Sequence, residues 1–460
     1  ENGAGKSTLM KMLFGLYRPD SGRILLDGQE VAWRTPLDAI ARGIGMVQQH
    51  FTLVGPLSAI DNIILGAERA GTVGLLDRKK AIEDVCSVLP SKKLEVPWHE
   101  KTENLSVGDR QKIEILKLLY RRAELLILDE PTAVLTPQEV EDFFEMLRQL
   151  KAAGKTIVII SHKLGEIFSL CDEFTVLRAG RVTGRGAIRD VTPEKIVQYM
   201  MGESLKPLSE DRAPVWKDTV ITCRGLTERQ KKRGALNDLS LDVHAGEIVG
   251  VAGVEGAGQS SLVQALMGLL KPEGQISILG QIPGTAREAR ELGVGLIPED
   301  RIEEGLWPAE SGFHNLVIGL EERFSRFGLL DDTKIEADCA LWAKSFDVRA
   351  ASLKNQAGSF SGGNQQKLIF AREVAGREPR VLICHQPTRG VDLGAVRHIH
   401  ETLIQLRNKG LGVLVLSSDL DELMELSDRI YVLFDGRVSG RFERGKFERA
   451  AIGRAMAGLT

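Results

Sequence analysis

The sequence predicts an α/β fold built twice in tandem. Three observations predict it. Five sequence blocks recur in one order at a nearly constant distance, short β-branched runs alternate with helix-periodic segments, and a glycine-rich loop precedes a helix in each copy. Glu1–Leu13 (ENGAGKSTLMKML) matches Val254–Leu266 (VEGAGQSSLVQAL), and Phe14-Gly15 then matches Met267-Gly268. NLSVGDRQK from Asn104 matches SFSGGNQQK from Ser359, LLILDEPT from Leu125 matches VLICHQPT from Val381, and TIVIISHKLGE from Thr156 matches GVLVLSSDLDE from Gly412. The offset is 253 between Gly5 and Gly258, 255 between Ser106 and Ser361, and 256 between Pro131 and Pro387. A period this long means whole domains, not a solenoid. We expect one domain over residues 1–201, a polar linker with two prolines over 202–218, and a second domain over 219–460.

Each element follows from local pattern. Leu125–Leu128, Thr156–Ile160, Val381–Ile383 and Val413–Leu416 are short apolar runs ending in polar loops, as buried parallel strands do. Gln111–Leu119 carries Ile113, Ile115, Leu116 and Leu119 at helical spacing. Residues 62–104 are mostly helical in pattern and are expected to form a side subdomain. Strands alternating with helices place ligands at the C-terminal strand ends.

Composition excludes several classes. The 460 residues alone would suggest roughly three domains, a number that the repeat reduces to two. Sixty Lys and Arg against 63 Asp and Glu give a net charge of −3, which argues against nucleic-acid binding through bulk positive charge. A hydrophobic share of 43% with 27% charged residues is that of a folded globular chain. No apolar run approaches the ~20 residues of a membrane helix. No charged-then-apolar leader opens the chain, so secretion is not expected. Five dispersed cysteines read as reduced thiols of a cytosolic protein. Because Glu1 falls inside a phosphate-binding motif, we expect further residues, including a strand, ahead of it.

That motif is Asn2-Gly3-Ala4-Gly5-Lys6-Ser7-Thr8, the tail of GxxxxGK[ST]. Glycines let backbone N–H groups curl round phosphate oxygens. Lys6 would bridge the β- and γ-phosphates, Ser7 would hold Mg²⁺, and a helix starting there favours an anion at its N-terminus. The second loop keeps Gly256 and Gly258 ahead of Ser260 and Ser261 but carries Gln259 where the lysine belongs. Its amide donates hydrogen bonds without charge, so nucleotide binding there should survive in weakened form. The strand Leu125–Leu128 delivers Asp129 and Glu130 at its end. Asp129 would orient Mg²⁺ through water, and Glu130 would polarise the attacking water, a role worth about 10²–10⁴-fold in rate. In the second copy His385 and Gln386 replace both carboxylates. His385 reads as a buried histidine rather than a zinc ligand, since no partner ligands sit near it in sequence.

These blocks resemble the nucleotide-binding cassette of ABC transporters, twice over and across essentially the whole chain. Leu105–Gln111 (LSVGDRQ) looks like the signature LSGGQxQ with Val107 in place of a glycine, and Phe360–Gln366 (FSGGNQQ) is the closer match. Gln49 resembles the Q-loop glutamine, which with Ser7 and Asp129 serves Mg²⁺, and His162 resembles the switch histidine. PTRGVDLGA from Pro387, IPEDR from Ile297 and FSGGNQQK from Phe360 resemble the ATPase subunits of bacterial sugar and nucleoside importers, with His385-Gln386 leaning toward the nucleoside branch.

The resemblance implies paired cassettes, each ATP lying between one P-loop and the other cassette's signature. Site one would take Lys6, Ser7, Gln49, Asp129, Glu130 and His162 with Ser361, Gly362, Gly363 and Asp392, so every chemical role is filled. Site two would take Gln259, Ser260, Glu299, His385, Gln386 and Ser418 with Ser106, Val107, Gly108 and Thr136, and its lysine, carboxylates, glutamine and histidine are all replaced. Site one should hydrolyse ATP; site two should hold nucleotide as a strut. The implied partners are integral-membrane permeases at the cytoplasmic face of a bacterial membrane and, indirectly, an extracytoplasmic substrate-binding protein. The alternative, a soluble twin-cassette ATPase acting on ribosomes or DNA, conflicts with the 17-residue linker and the absence of zinc-type cysteine pairs. No aromatic residue lies between Cys223 and Leu239, where members of the family often stack adenine, so the second domain departs from the family there.

Overall fold

The second copy builds its sheet around the strand that precedes its glycine-rich loop. In this computed structural model the described residues are 4–48, 51–68, 77–88, 96–132, 135, 137–161, 163–178, 180–201, 211–230, 234–254, 256–326 and 328–459. They form two compact units that part near residue 205.

In the second unit, Ile248–Ala252 is central in a six-stranded sheet. The order is Val294–Ile297, Val381–His385, Gly412–Ser417, Ile248–Ala252, Arg429–Phe434 and Arg437–Glu443, parallel except for the last strand. The three strands Ile248–Ala252, Val381–His385 and Gly412–Ser417 are buried along their full length. That is why their sequences, up to the polar residues His385 and Ser417 at two of the strand ends, run apolar rather than alternating. A three-stranded antiparallel sheet of Glu273–Ile278, Thr219–Thr227 and Leu239–His244 belongs to the same unit. The helices Gly312–Val317, Asp332–Ser345 and Gly362–Phe370 pack into one apolar cluster that includes Phe324 and Trp342, edge to face at 5.9 Å.

The first unit repeats this plan at the same offset. Ile44–Val47, Leu125–Asp129 and Thr156–Ile160 form a three-stranded parallel sheet, and Glu173–Arg178 pairs with Arg181–Ala187 as a separate hairpin. Even the irregularity between Val176 and Leu177 recurs between Val432 and Leu433. Among the described residues no strand corresponds to Ile248–Ala252. The helix Lys6–Leu13 accordingly has no buried residue, whereas six residues of Gln259–Leu266 are buried. Leu9 is 44% exposed, while Leu262 at the matching position is fully buried.

The region expected to be a helical side subdomain holds the helices Ala59–Ile64 and Arg78–Val88. Half of the expected linker lies elsewhere than a free tether. Arg212 pairs with Asp428 at 3.1 Å, Arg407 donates to the Ala213 carbonyl, and the Trp216 amide donates to the Ala245 carbonyl at 3.0 Å. Residues 211–218 are thus part of the second unit; 202–210 lie outside the described residues.

Candidate functional site

The glycine-rich loops share one scaffold. Ala4 and Ala257 are buried at their centres, each accepting a hydrogen bond from a glycine of the following hairpin turn, Gly180 N–H at 3.1 Å and Gly436 N–H at 2.9 Å. Gly5 and Gly258 open the helices in the left-handed region, at φ 92° and 118°, and Gly256 lies there too, at 85°. Side chains other than glycine are strained at such angles. Asn2, Gly3, Gln49, Thr136 and His162 lie outside the described residues.

In the first unit two of the three expected magnesium residues, Ser7 and Asp129, come together. Asp129, buried at the strand end, accepts a hydrogen bond from Ser7. Burial pushes its carboxyl up from the ordinary range, with Glu130 adding to the rise, while Ser7, Lys11 and Lys6 oppose it. A carboxylate held against desolvation by a hydroxyl and two ammonium groups fits a divalent cation. Glu130 has φ 48°, a left-handed angle uncommon outside glycine, and its N–H donates to the Ile160 carbonyl at 3.0 Å. Gln386 matches it, with φ 52° and an N–H bond to the Leu416 carbonyl at 2.8 Å. The backbone at the position expected to be catalytic is therefore the same in both copies.

The side chains diverge. Gln259 is buried, and its amide donates inward, to the Val251 carbonyl at 3.2 Å and the Ser417 carbonyl at 3.4 Å. It ties two neighbouring strands together near their C-terminal ends. Gln386 donates to Ser418 Oγ at 3.3 Å and accepts from its N–H at 3.4 Å, closing the two positions upon each other. His385 Nε2 lies 3.4 Å from Glu299 Oε2, and Arg389 binds the other oxygen of Glu299 at 2.6 Å. Burial, helped by Arg389, pushes the His385 imidazole down to about 4, so it is neutral at physiological pH. Among the described residues no three metal-binding side chains gather.

The two signature helices differ as well. Ser106 caps its helix, accepting from the Asp109 N–H at 3.1 Å and donating to the Asp109 carboxylate at 2.8 Å. Ser361 occupies the N-cap position without a side-chain bond to a helix N–H; it accepts from the Asn364 amide at 2.9 Å. Asp392 Oδ1 caps the helix Leu393–Asn408 through the Ala395 N–H at 2.9 Å. Its other oxygen would sit 2.7 Å from a Cβ at Gly363, which explains the glycine.

Sequence reasoning missed Asn62 and Asn315. Both are buried, and each uses its amide to hold the loop before its helix. Asn62 accepts from the Val54 N–H and donates to the carbonyls of Val54, Leu57 and Ser58; Asn315 does the same with Trp307, Glu310 and Ser311. The recurrence of SAIDN as SGFHN at offset 253 was the available signal. Glu114, which accepts from the Thr52 N–H at 2.6 Å, was missed too.

Comparison with known proteins places this geometry. The ABC transporter family profile matches residues 1–133 and 236–389. The chain belongs to the ABC transporter family, as a protein that binds and hydrolyses ATP. It is 41% identical over 468 residues to the nucleoside import ATP-binding protein NupA of Lactococcus lactis, covering all of this chain and 91% of that one. It is also 41% identical over 467 residues to the guanosine import ATP-binding protein NupO of Bacillus subtilis, with the same coverage. Identity is 38% over 445 residues to the galactose/methyl galactoside import ATP-binding protein MglA of Escherichia coli, covering 96% and 87%. An archaeal ribosome recycling factor solved with a ribosomal stalk protein has a TM-score of 0.64 at 19% identity over the whole chain and 86% of its own, a likeness of fold. This is a twin-cassette ATPase subunit of the import type, and the ribosome or DNA alternative is not favoured. Among the described residues no helix is long and apolar enough to cross a membrane.

Proposed function

We propose that the two cassettes close head to tail and hydrolyse ATP at one composite site, formed by the first unit's loop and carboxylates with the second unit's Ser361-Gly362-Gly363 tip. Lys6 bridges the terminal phosphates, Glu130 polarises the attacking water, and His162 and Gln49 complete the site. Ser7 and Asp129 would hold Mg²⁺, which supplies charge compensation to the phosphates. Asp392 sets the Gly363 turn. Ser260, Ser261, Gly256 and Gly258 with Gln259 keep a nucleotide-binding loop that acts as a strut.

The observation that carries this reading is the pairing of Ser7 with buried Asp129, set against the inward-turned Gln259 and the closed Gln386–Ser418 pair. The helix tips support the same direction. The carboxylate of Asp109 sits on Ser106, where a second γ-phosphate would meet like charge, whereas Ser361 is paired with neutral Asn364. Closure and reopening would move permeases at the cytoplasmic face of the membrane, fed by an extracytoplasmic binding protein. The transported class is nucleosides, on the strength of the nucleoside-type names at 41% identity and the His385-Gln386 pair.

The test is steady-state ATPase of the assembled importer. Glu130→Gln should lower turnover by at least ~10²-fold, while Gln259→Ala keeps most of it. Equal losses in both would overturn the asymmetry. Uptake of labelled guanosine that excess galactose outcompetes would overturn the substrate class.

A further inference from the structure

Arg301 lies just past the strand Val294–Ile297 and reaches two elements at once, the signature helix and the loop after Val381–His385. Its Nε donates to Gln365 Oε1 on the signature helix at 3.2 Å. Its Nη1 donates to the Arg389 carbonyl at 2.8 Å and its Nη2 to the Gly390 carbonyl at 3.5 Å, both in the loop after Val381–His385. A Cβ on Gly362, the first residue of the signature helix, would stand 2.9 Å from Nη2 and 3.0 Å from the Gly390 carbonyl. The helix tip thus lies against the guanidinium, and a side chain at Gly362 would displace it or crowd the Gly390 carbonyl. Arg389 continues the chain of contacts through Glu299 to His385, so positions that have lost their catalytic residues lead back to the tip.

Among the described residues the first copy has no arginine at the corresponding place. Phe51 follows the matching strand at the corresponding place, and Ala133 matches Arg389. A cation beneath a helix N-terminus opposes that helix's own dipole. Electrostatically its placement works against the helix and raises the positive potential that an anion in front of the tip would meet.

We propose that Arg301 is a positioning residue of the ATPase: it fixes the Ser361-Gly362-Gly363 tip against the γ-phosphate of the ATP held by the first unit. The proposal rests on the composite-site reading above. It assigns the second unit's altered loop a present task, holding the tip that serves its neighbour's nucleotide. ADP lacks the γ-phosphate, so its binding is independent of Arg301.

The experiment compares Arg301→Ala, Arg301→Lys and Ser361→Ala in the importer reconstituted in proteoliposomes, reading kcat, KM for ATP, ADP affinity and thermal midpoint. Arg301→Ala should lower kcat about tenfold or more, because a displaced Ser361-Gly362-Gly363 tip no longer meets the γ-phosphate in place, with ADP affinity and midpoint unchanged. Arg301→Lys should fall similarly, because an ammonium cannot span three fixed acceptors. If Ser361→Ala is slow while Arg301→Ala keeps wild-type kcat, the proposal fails and the composite site stands. If Ser361→Ala is itself as fast as wild type, the composite reading fails. Parallel loss of ADP affinity or of the thermal midpoint in Arg301→Ala would overturn the positioning role. Should Arg301→Ala not fold, Gln365→Leu, which removes one acceptor and keeps the guanidinium, must lower kcat; unchanged turnover would overturn the proposal.

Discussion

Asp129 and His385 end matching strands, and their surroundings differ in sign. Asp129 faces Ser7 and two lysines, which favour its charge against burial. His385 faces Glu299 across 3.4 Å and is uncharged near neutrality. Restoring the acid alone should therefore harm the protein. His385→Asp places a second carboxylate against Glu299 in a buried position, at a cost of roughly 1–3 kcal/mol, read as a lower thermal midpoint; His385→Asn should be milder. His400 carries the opposite lesson. Burial works against its charge, yet Glu422 at 3.4 Å and Glu425 at 3.1 Å outweigh that and raise it to about 9 from 6.5. A folded-state value above the unfolded one stabilises fully below about pH 6.5, and that contribution fades as pH rises through about 9. The thermal midpoint should fall across that window in the wild type, and His400→Gln should flatten the fall; an unchanged slope would contradict the assignment.

At the scale of elements, the loops entering the helices Ala59–Ile64 and Gly312–Val317 are held by one buried amide each. Asn315→Ala removes four hydrogen bonds and leaves buried backbone groups unpaired. The expected cost is about 2–4 kcal/mol, measured by denaturant unfolding. Asn315→Asp should not rescue it, since a carboxylate cannot donate to three carbonyls. The repeat pairs Asn62 with Asn315 in the sequence, but nothing there announces burial, because asparagine is ordinarily exposed. Strands were more legible. Leu125–Leu128 and Val381–Cys384 are apolar throughout because both faces are covered. The helix over 111–119 begins four residues earlier, at Val107, because Ser106 supplies the cap.

At the scale of the molecule, each unit has its own apolar cores, so each should unfold as its own transition. Calorimetry should resolve two transitions, one shifted by Asn62→Ala and the other by Asn315→Ala. ATP should raise the transition that responds to Asn62→Ala more strongly, because the loop that keeps the lysine is the one proposed to bind nucleotide more tightly. A single transition shifted equally by both variants would refute independent units.

The sequence by itself determined the duplication, the α/β class, and which copy keeps the lysine, the acids and the switch histidine. Those are properties of residue type and spacing, which periodicity and offset expose directly. Only the tertiary structure decided what the replacements do. Gln259 turns inward to two strand carbonyls, Gln386 closes on Ser418, and Glu299 and Arg389 form with His385 a chain of polar contacts leading toward Arg301. Such contacts join residues far apart along the chain, such as Arg301 and Gly390, and depend on side-chain direction and burial. Neither quantity is encoded in local pattern, since both arise only when separate strands and helices pack together.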